Sequence, residues 1–272
     1  MRQKNFFFTY VGGKTKDYKS FKDYVNFDGC NTICEPFCGS CAFSFLNRDN
    51  INKFILNDKD TVLIEFLKDV RKGLFPDYLK YVENKILDYI DNNKPTKEWY
   101  SLRKSVTNNT NKYDRFLIST TSRGRFGLME IDAGRNEPLL RIKNKLKLEN
   151  YENILNFVKE KNIKFRNRDC LEIFNKVKDK KNTFVFLDPP YFESYNKSYC
   201  VNQINGKNEV IDNTKMYIDI LEFLKSAKCK VMLIINKNAL IEYLYKDYIK
   251  GEYTKQYDMS RRIVQHLIIT NY

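Results

Sequence analysis

No apolar run in this chain of 272 residues is long enough to span a bilayer; the longest, Val231–Ile235, is strand-sized, as is Leu267–Ile269. A secretory pattern is missing too, because Phe6–Phe8 is followed at once by Thr9, Gly12 and Lys14. Histidine occurs once, as His266, and only Cys38 and Cys41 among the seven cysteines share a two-residue spacing, in CGSC. No second Cys/His pair with ligand spacing follows, so no metal site and no redox pair is expected. An odd cysteine count without a framework of pairs points to reduced thiols in a cytoplasmic or nuclear protein with no membrane partner. Acidic side chains are in deficit: 34 Asp and Glu stand against 48 Lys and Arg, a net charge of +14. That excess calls for an anionic partner, of which a nucleic-acid backbone is the commonest. A lysine-rich composition inherited from an AT-rich genome would give the same balance. There is no internal repeat.

What is present can build a sizeable core, since 42% of residues are hydrophobic and 15% aromatic. Strand-like runs at 31–34, 53–56, 163–165, 183–187, 230–235 and 264–270 alternate with helix-like runs at 41–48, 61–71, 171–177, 215–226 and 239–245. Such alternation predicts an α/β fold around a parallel-rich sheet. Between Gly73 and Leu148 the pattern changes to few strands and many Lys, Arg, Asn and Tyr residues. We expect one domain formed by 1–72 and 149–272, interrupted by a mostly helical insertion, 73–148, with a loop or hairpin near Arg123. The polar stretch 194–213 reads as a loop.

That stretch follows the most informative motif, Asp188-Pro189-Pro190-Tyr191, which sits just past an apolar strand. Open α/β sheets bind ligands at the carboxyl ends of their strands. An aromatic exocyclic amine is a poor nucleophile because its lone pair is delocalised. The Asp188 carboxylate and the Pro189 carbonyl can each accept a hydrogen bond from such an amine, favouring a pyramidal nitrogen aimed at a methyl donor. The prolines hold that carbonyl rigidly, and Tyr191 offers a ring on which an extruded base can stack. The plain alternative is a proline-stiffened turn. On the other side of the expected crevice lies Glu35-Pro36-Phe37-Cys38-Gly39-Ser40-Cys41, a strand-to-helix turn whose glycine permits close backbone approach to a ligand. Asp58 and Asp169, with Cys170 beside it, follow strands and suit ribose or adenine contacts; helix capping suits either acid equally well.

These segments together resemble the Dam-like adenine methyltransferases. Tyr10-Val11-Gly12-Gly13-Lys14 resembles that family's aromatic-x-GGK motif, Glu35–Phe43 its EPF-x-G-S-G-A-x-F motif, Leu187–Tyr191 its catalytic motif, and HLIITNY from His266 its closing strand. The resemblance implies a Rossmann-like, S-adenosyl-L-methionine-dependent methyltransferase sheet with an inserted DNA-recognition subdomain. It implies that Asp188, Pro189, Pro190 and Tyr191 act on a flipped adenine in double-stranded DNA. Donor contacts would come from Tyr10, Gly12, Gly13, Lys14, Glu35, Pro36, Phe37, Cys38, Gly39, Ser40, Asp58, Asp169, Cys170 and Asp188. Cys41 departs from the pattern, standing where the family usually has a second glycine, and Tyr10 replaces a frequent tryptophan. Arg123, Arg125 and Arg135 are the expected DNA contacts, by bidentate pairing with guanine or by clamping phosphate, and a cognate restriction nuclease is an expected partner. Cytosine N4 methylation, RNA adenine methylation, and a DNA-binding module weakened in catalysis by Cys41 stand as alternatives. Asp188 in place of Asn argues against glutamine methylation.

Overall fold

Seven strands assemble into one sheet: β1 (Thr32–Glu35), β2 (Lys53–Asn57), β3 (Asn162–Arg166), β4 (Thr183–Leu187), β5 (Lys230–Asn236), β6 (Ile249–Gln256) and β7 (Ile263–Thr270). Their order across the sheet is β3-β2-β1-β4-β5-β7-β6. The first five are mutually parallel, β7 runs antiparallel to β5, and β6 antiparallel to β7. This computed structural model describes residues 4–8, 13–91, 94–95, 97–104, 110–121, 146–191, 203–204, 207–208, 213–256 and 263–272.

The order has a functional consequence. From β1 the chain steps outward through β2 to β3, then returns to the other side of β1 as β4. β1 and β4 are therefore the topological switch point, where a crevice opens at the strands' carboxyl ends. Glu35 ends β1 and Leu187 ends β4, so the EPF and DPPY segments flank that crevice.

Contacts group the residues into two compact units. One comprises Lys14–Lys59, Asn162–Ser194 and Asp212–Tyr272 and contains the whole sheet. All five residues of β4 are buried, as expected for a central parallel strand covered on both faces. Val185 and Leu187 face the helices Cys170–Val177, Thr214–Ser226 and Ala239–Tyr245, packing with Phe174, Ile220, Leu224 and Ile241. Phe184 and Phe186 point the opposite way, as the two-residue period of a strand requires. Phe186 stacks on Phe43 with centroids 3.9 Å apart and also on Phe21.

The second unit comprises Met1–Gly13, Asp60–Lys161 and Tyr195–Ile211. Its described helices are Thr61–Arg71, Phe75–Asp88, Lys97–Lys104, Lys112–Thr121 and Glu152–Glu160. Three of them, Thr61–Arg71, Phe75–Asp88 and Lys112–Thr121, share an aromatic core in which Phe66, Phe75, Tyr78 and Phe116 pack edge to face and stacked. Arg115 and Asp60 form a buried ion pair there, with Arg115 Nη1 donating to Asp60 Oδ1 at 2.8 Å. Among the described residues, no helix is long and apolar enough to cross a membrane.

Three expectations need correction. Ile249–Gln256 was not anticipated as a strand: at this sheet edge only Tyr253 of the eight residues is buried, so its sequence, IKGEYTKQ, carries almost no apolar signal. The helix Glu152–Glu160 was likewise missed, although its buried set, Ile154, Leu155, Phe157 and Val158, has helical spacing. The stretch 194–213, expected as a loop, includes a short antiparallel ladder of Gln203–Ile204 with Lys207–Asn208. The loop expected near Arg123 lies outside the described residues.

Candidate active site

Asp188 leaves the tip of β4, and its carboxylate meets a side chain 174 positions earlier in the sequence. Lys14 Nζ donates to Asp188 Oδ1 at 2.6 Å and to the Tyr191 hydroxyl at 3.0 Å. Lys14 is 2% exposed and the Asp188 side chain 19%. Burial pushes the Asp188 carboxyl upward, opposed chiefly by the Lys14 charge. The same burial pushes the Lys14 ammonium downward, opposed by Asp188. A second ion pair, Lys255 with the buried Asp17 at 2.6 Å, lies close enough to influence both groups.

The rest of the motif is fixed from the helix side. The Tyr217 hydroxyl donates to the Pro190 carbonyl, and the Tyr245 hydroxyl donates to the Tyr217 carbonyl at 2.7 Å. Among the described residues no hydrogen bond reaches the Pro189 carbonyl. It is left available to accept one. Tyr191 is 8% exposed, and its ring meets His266 edge-on at 5.6 Å. His266 is fully buried and stacks on Tyr253. Burial, reinforced by the charges of Lys14 and Lys255, lowers its pKa to about 3, so the imidazole is neutral.

Across the switch point, the turn after β1 is stitched to its neighbours. Glu35 is buried, and its Oε1 accepts the Ser44 N–H at 2.9 Å. Burial raises its pKa to about 8 despite that bond. Gly39 has a φ of 46°, and its N–H donates to Asp58 Oδ2 at 3.0 Å. Cys41 has a φ of 58°, the only positive φ outside glycine among the described residues. The position that resembles a glycine slot in sequence thus has a glycine-like backbone, occupied by a cysteine. The six described cysteines are free thiols.

The two acids proposed from strand ends part ways. The Asp58 side chain does not cap the following helix; Asp60 does, accepting from Leu63 N at 3.2 Å. Asp58 instead turns its carboxylate to the glycine turn. Asp169 is a helix cap, accepting from Leu171 N at 3.0 Å, with the Cys170 thiol 3.7 Å from the same oxygen. Pro36, Cys38 and Gly39 are buried in the turn, while Phe37 and Ser40 are half-buried. Lys14 is brought to Asp188 and Tyr191. Gly13 is described and exposed. Tyr10, Gly12, Arg123, Arg125 and Arg135 lie outside the described residues.

Sequence reasoning passed over Asn57, Asn167, Tyr217, Asp17 and Lys255. Only Asn57 carried a visible signal, a polar residue closing an apolar strand.

Comparison with known proteins gives the family. Among curated proteins, the Type II methyltransferase M.CviBI of Paramecium bursaria Chlorella virus NC1A is 29% identical over 291 aligned positions, covering 96% of this chain and 97% of its own. The Type II methyltransferase M.FokI of Planomicrobium okeanokoites is 24% identical over 97% of this chain, which spans 42% of that protein. Among solved structures, the rRNA methyltransferase AviRa of Streptomyces viridochromogenes overlays with a TM-score of 0.41 at 13% identity, covering 94% of this chain and 83% of that one. The family model described as D12 class N6 adenine-specific DNA methyltransferase matches residues 10–260, and the chain belongs to that family: it is a site-specific adenine methyltransferase acting on DNA.

Proposed function

We propose that the DPPY turn at the tip of β4 is the acceptor site, with Asp188 and Pro189 holding the N6 amine of an adenine flipped out of double-stranded DNA. The observation that carries this reading is the pairing, at the switch point, of an ion-paired Asp188 carboxylate with a Pro189 carbonyl that no described hydrogen bond engages. Lys14 orients one carboxylate oxygen and keeps the group charged against the cost of burial. Asp188 and the Pro189 carbonyl accept the two amine hydrogens, which turns the nitrogen lone pair out of the ring plane. As positive charge develops on that nitrogen, both acceptors stabilise it without having to reorganise. The Tyr217–Pro190 bond holds the turn rigid. Tyr191 forms a wall of the base pocket; since its ring is buried, stacking of a base on its face requires the ring to be uncovered first.

S-adenosyl-L-methionine is the donor on this reading and supplies an electrophilic methyl group. The residues at the ends of β1, β2 and β3 fit such a molecule. Asp58 places a carboxylate at the end of β2 for hydroxyl groups, Gly39 permits close backbone approach, and the half-buried Phe37 offers an apolar edge. Glu35 is buried behind this turn, and Asp169 and Cys170 form its far rim. For Tyr10, Gly12 and Gly13 a donor contact rests on the motif alone. The segment 73–148 is the target-recognition element, with Arg123, Arg125 and Arg135 as its DNA contacts. A partner restriction nuclease fits the Type II relatives. The net charge of +14 supports phosphate binding.

The deciding experiment is labelled methyl transfer to duplex DNA by Asp188→Ala. Turnover should fall by at least about a hundredfold, with DNA affinity and fold retained. Wild-type turnover in that variant would overturn the assignment.

A further inference from the structure

Asn57 closes β2 with a fully buried side chain. Its Nδ2 donates to the Pro36 carbonyl at 2.9 Å and to the Arg168 carbonyl at 3.0 Å, while its Oδ1 accepts the Arg168 N–H at 3.0 Å. Its own backbone carbonyl accepts the Cys38 N–H at 2.8 Å. The loops after β1 and β3 are thus both fastened to the tip of β2. Asn167 answers from the loop after β3: its Nδ2 donates to the Asp58 carbonyl at 2.9 Å and to the Lys59 carbonyl at 3.1 Å. Each loop is clasped by an asparagine of its neighbour.

Satisfying buried carbonyls is reason enough for a polar residue at a strand end. The partners of this one are more particular. Pro36 precedes Phe37, Cys38 precedes Gly39, and Arg168 precedes Asp169. The Gly39–Asp58 bond, at 3.0 Å, closes a ring through the same loops. A planar amide presents donor and acceptor at a fixed angle. Aspartate of equal size lacks the donor, and an aliphatic side chain has neither.

We infer that Asn57 is a positioning residue for the methyl donor, holding Phe37–Gly39, Asp58 and Asp169 in one mutual geometry, with Asn167 as its reciprocal partner. This rests on the donor crevice lying at the ends of β1, β2 and β3. Asn57 acts through the loops it ties, so its loss is felt in donor affinity rather than in the chemical step on bound substrates.

Calorimetric titration of the intact chain with S-adenosyl-L-methionine, alongside steady-state kinetics, tests this. Asn57→Ala should raise the donor Kd and KM by about tenfold, the equivalent of about 1.4 kcal/mol, because the Pro36 and Arg168 carbonyls lose their donor. Turnover at saturating donor should stay within about twofold and DNA affinity should be unchanged. Asn167→Ala, at a half-buried position whose loss leaves the strand core intact, should raise the donor Kd by about threefold with a near-native melting temperature. If Asn57→Ala fails to fold, Asn167→Ala decides alone. Wild-type donor affinity in the folded variants overturns the inference, as does a turnover loss as large as the affinity loss. A wild-type chain that binds no donor overturns the crevice assignment itself, and the inference with it.

Discussion

The Lys14 ammonium and the Asp188 carboxylate, 174 positions apart in sequence, meet at 2.6 Å in a site nearly closed to solvent. Burial pushes that carboxyl upward, and the Lys14 charge is the chief influence opposing it. Lys14→Met removes the main influence opposing burial, so the Asp188 carboxyl, already pushed up, rises further. In the proposed function an ionised carboxylate accepts an amine hydrogen. The acid limb of kcat/KM should therefore move to higher pH in Lys14→Met, with turnover near neutrality down by at least about tenfold. A pH–rate profile comparing the two proteins checks this; an unmoved acid limb would count against the ion pair's role.

Glu35 gives the fold itself a pH dependence. Its pKa is about 8 in the folded chain against 4.5 as the ordinary value, with burial the largest cause. The folded state therefore holds this proton more tightly than the unfolded one. Stability from that proton is fully present below 4.5 and is lost as the pH climbs through about 8. Melting temperature of the donor-free protein should decline across this window. Glu35→Gln keeps a side-chain oxygen for the Ser44 N–H and should flatten the decline. Melts between about pH 5 and about pH 9 that run parallel for both proteins would refute it.

Much of the sheet could be read beforehand because its central strands are short apolar runs: Thr183–Leu187 is buried at every position and was delimited correctly. The edge strand Ile249–Gln256 could not, because an edge exposes alternate residues and leaves lysine, glutamate and threonine where an inner strand has valine or isoleucine. The DPPY turn was legible for the same local reason as β4, which delivers it. The Lys14 contact was not, since no periodicity links two residues 174 positions apart. Asp58 and Asp60 show the limit of spacing arguments: both stand just before a helix, and only side-chain direction tells the cap from the acid facing the glycine turn.

Cys41 sits in a left-handed backbone at φ 58° with its side chain buried. An L-residue with a Cβ carries about 1–2 kcal/mol of strain there. Glycine removes it at an entropic cost of about 0.5–1 kcal/mol. Cys41→Gly should therefore raise stability by up to about 1 kcal/mol, a shift of about 2–4 °C in Tm. Donor affinity should be equal or tighter. A branched residue is worse than cysteine at such a φ, so Cys41→Val should lower Tm. Differential scanning calorimetry of the three proteins tests the order; a glycine variant less stable than wild type would show that the buried thiol contributes more than the backbone strain costs.

Tyr217 reaches the catalytic turn from the helix Thr214–Ser226 through the hydrogen bond from its hydroxyl to the Pro190 carbonyl. That bond engages the Pro190 carbonyl and not the neighbouring Pro189 carbonyl, the acceptor in the proposed function, and resists rotation of the turn about its axis. Tyr217→Phe keeps the ring in its buried place and the backbone carbonyl that takes the Tyr245 hydroxyl, so packing is little disturbed. Only the hydroxyl is lost, at a cost of about 1 kcal/mol in stability. Because the acceptor pair must be aligned with the donor methyl, even a small loosening of the turn should act on the chemical step. Turnover should fall by about tenfold, with KM for donor and DNA within about twofold of wild type. Single-turnover methylation separates this from slowed product release: a wild-type single-turnover rate in Tyr217→Phe would mean that the turn is held rigid without this hydroxyl.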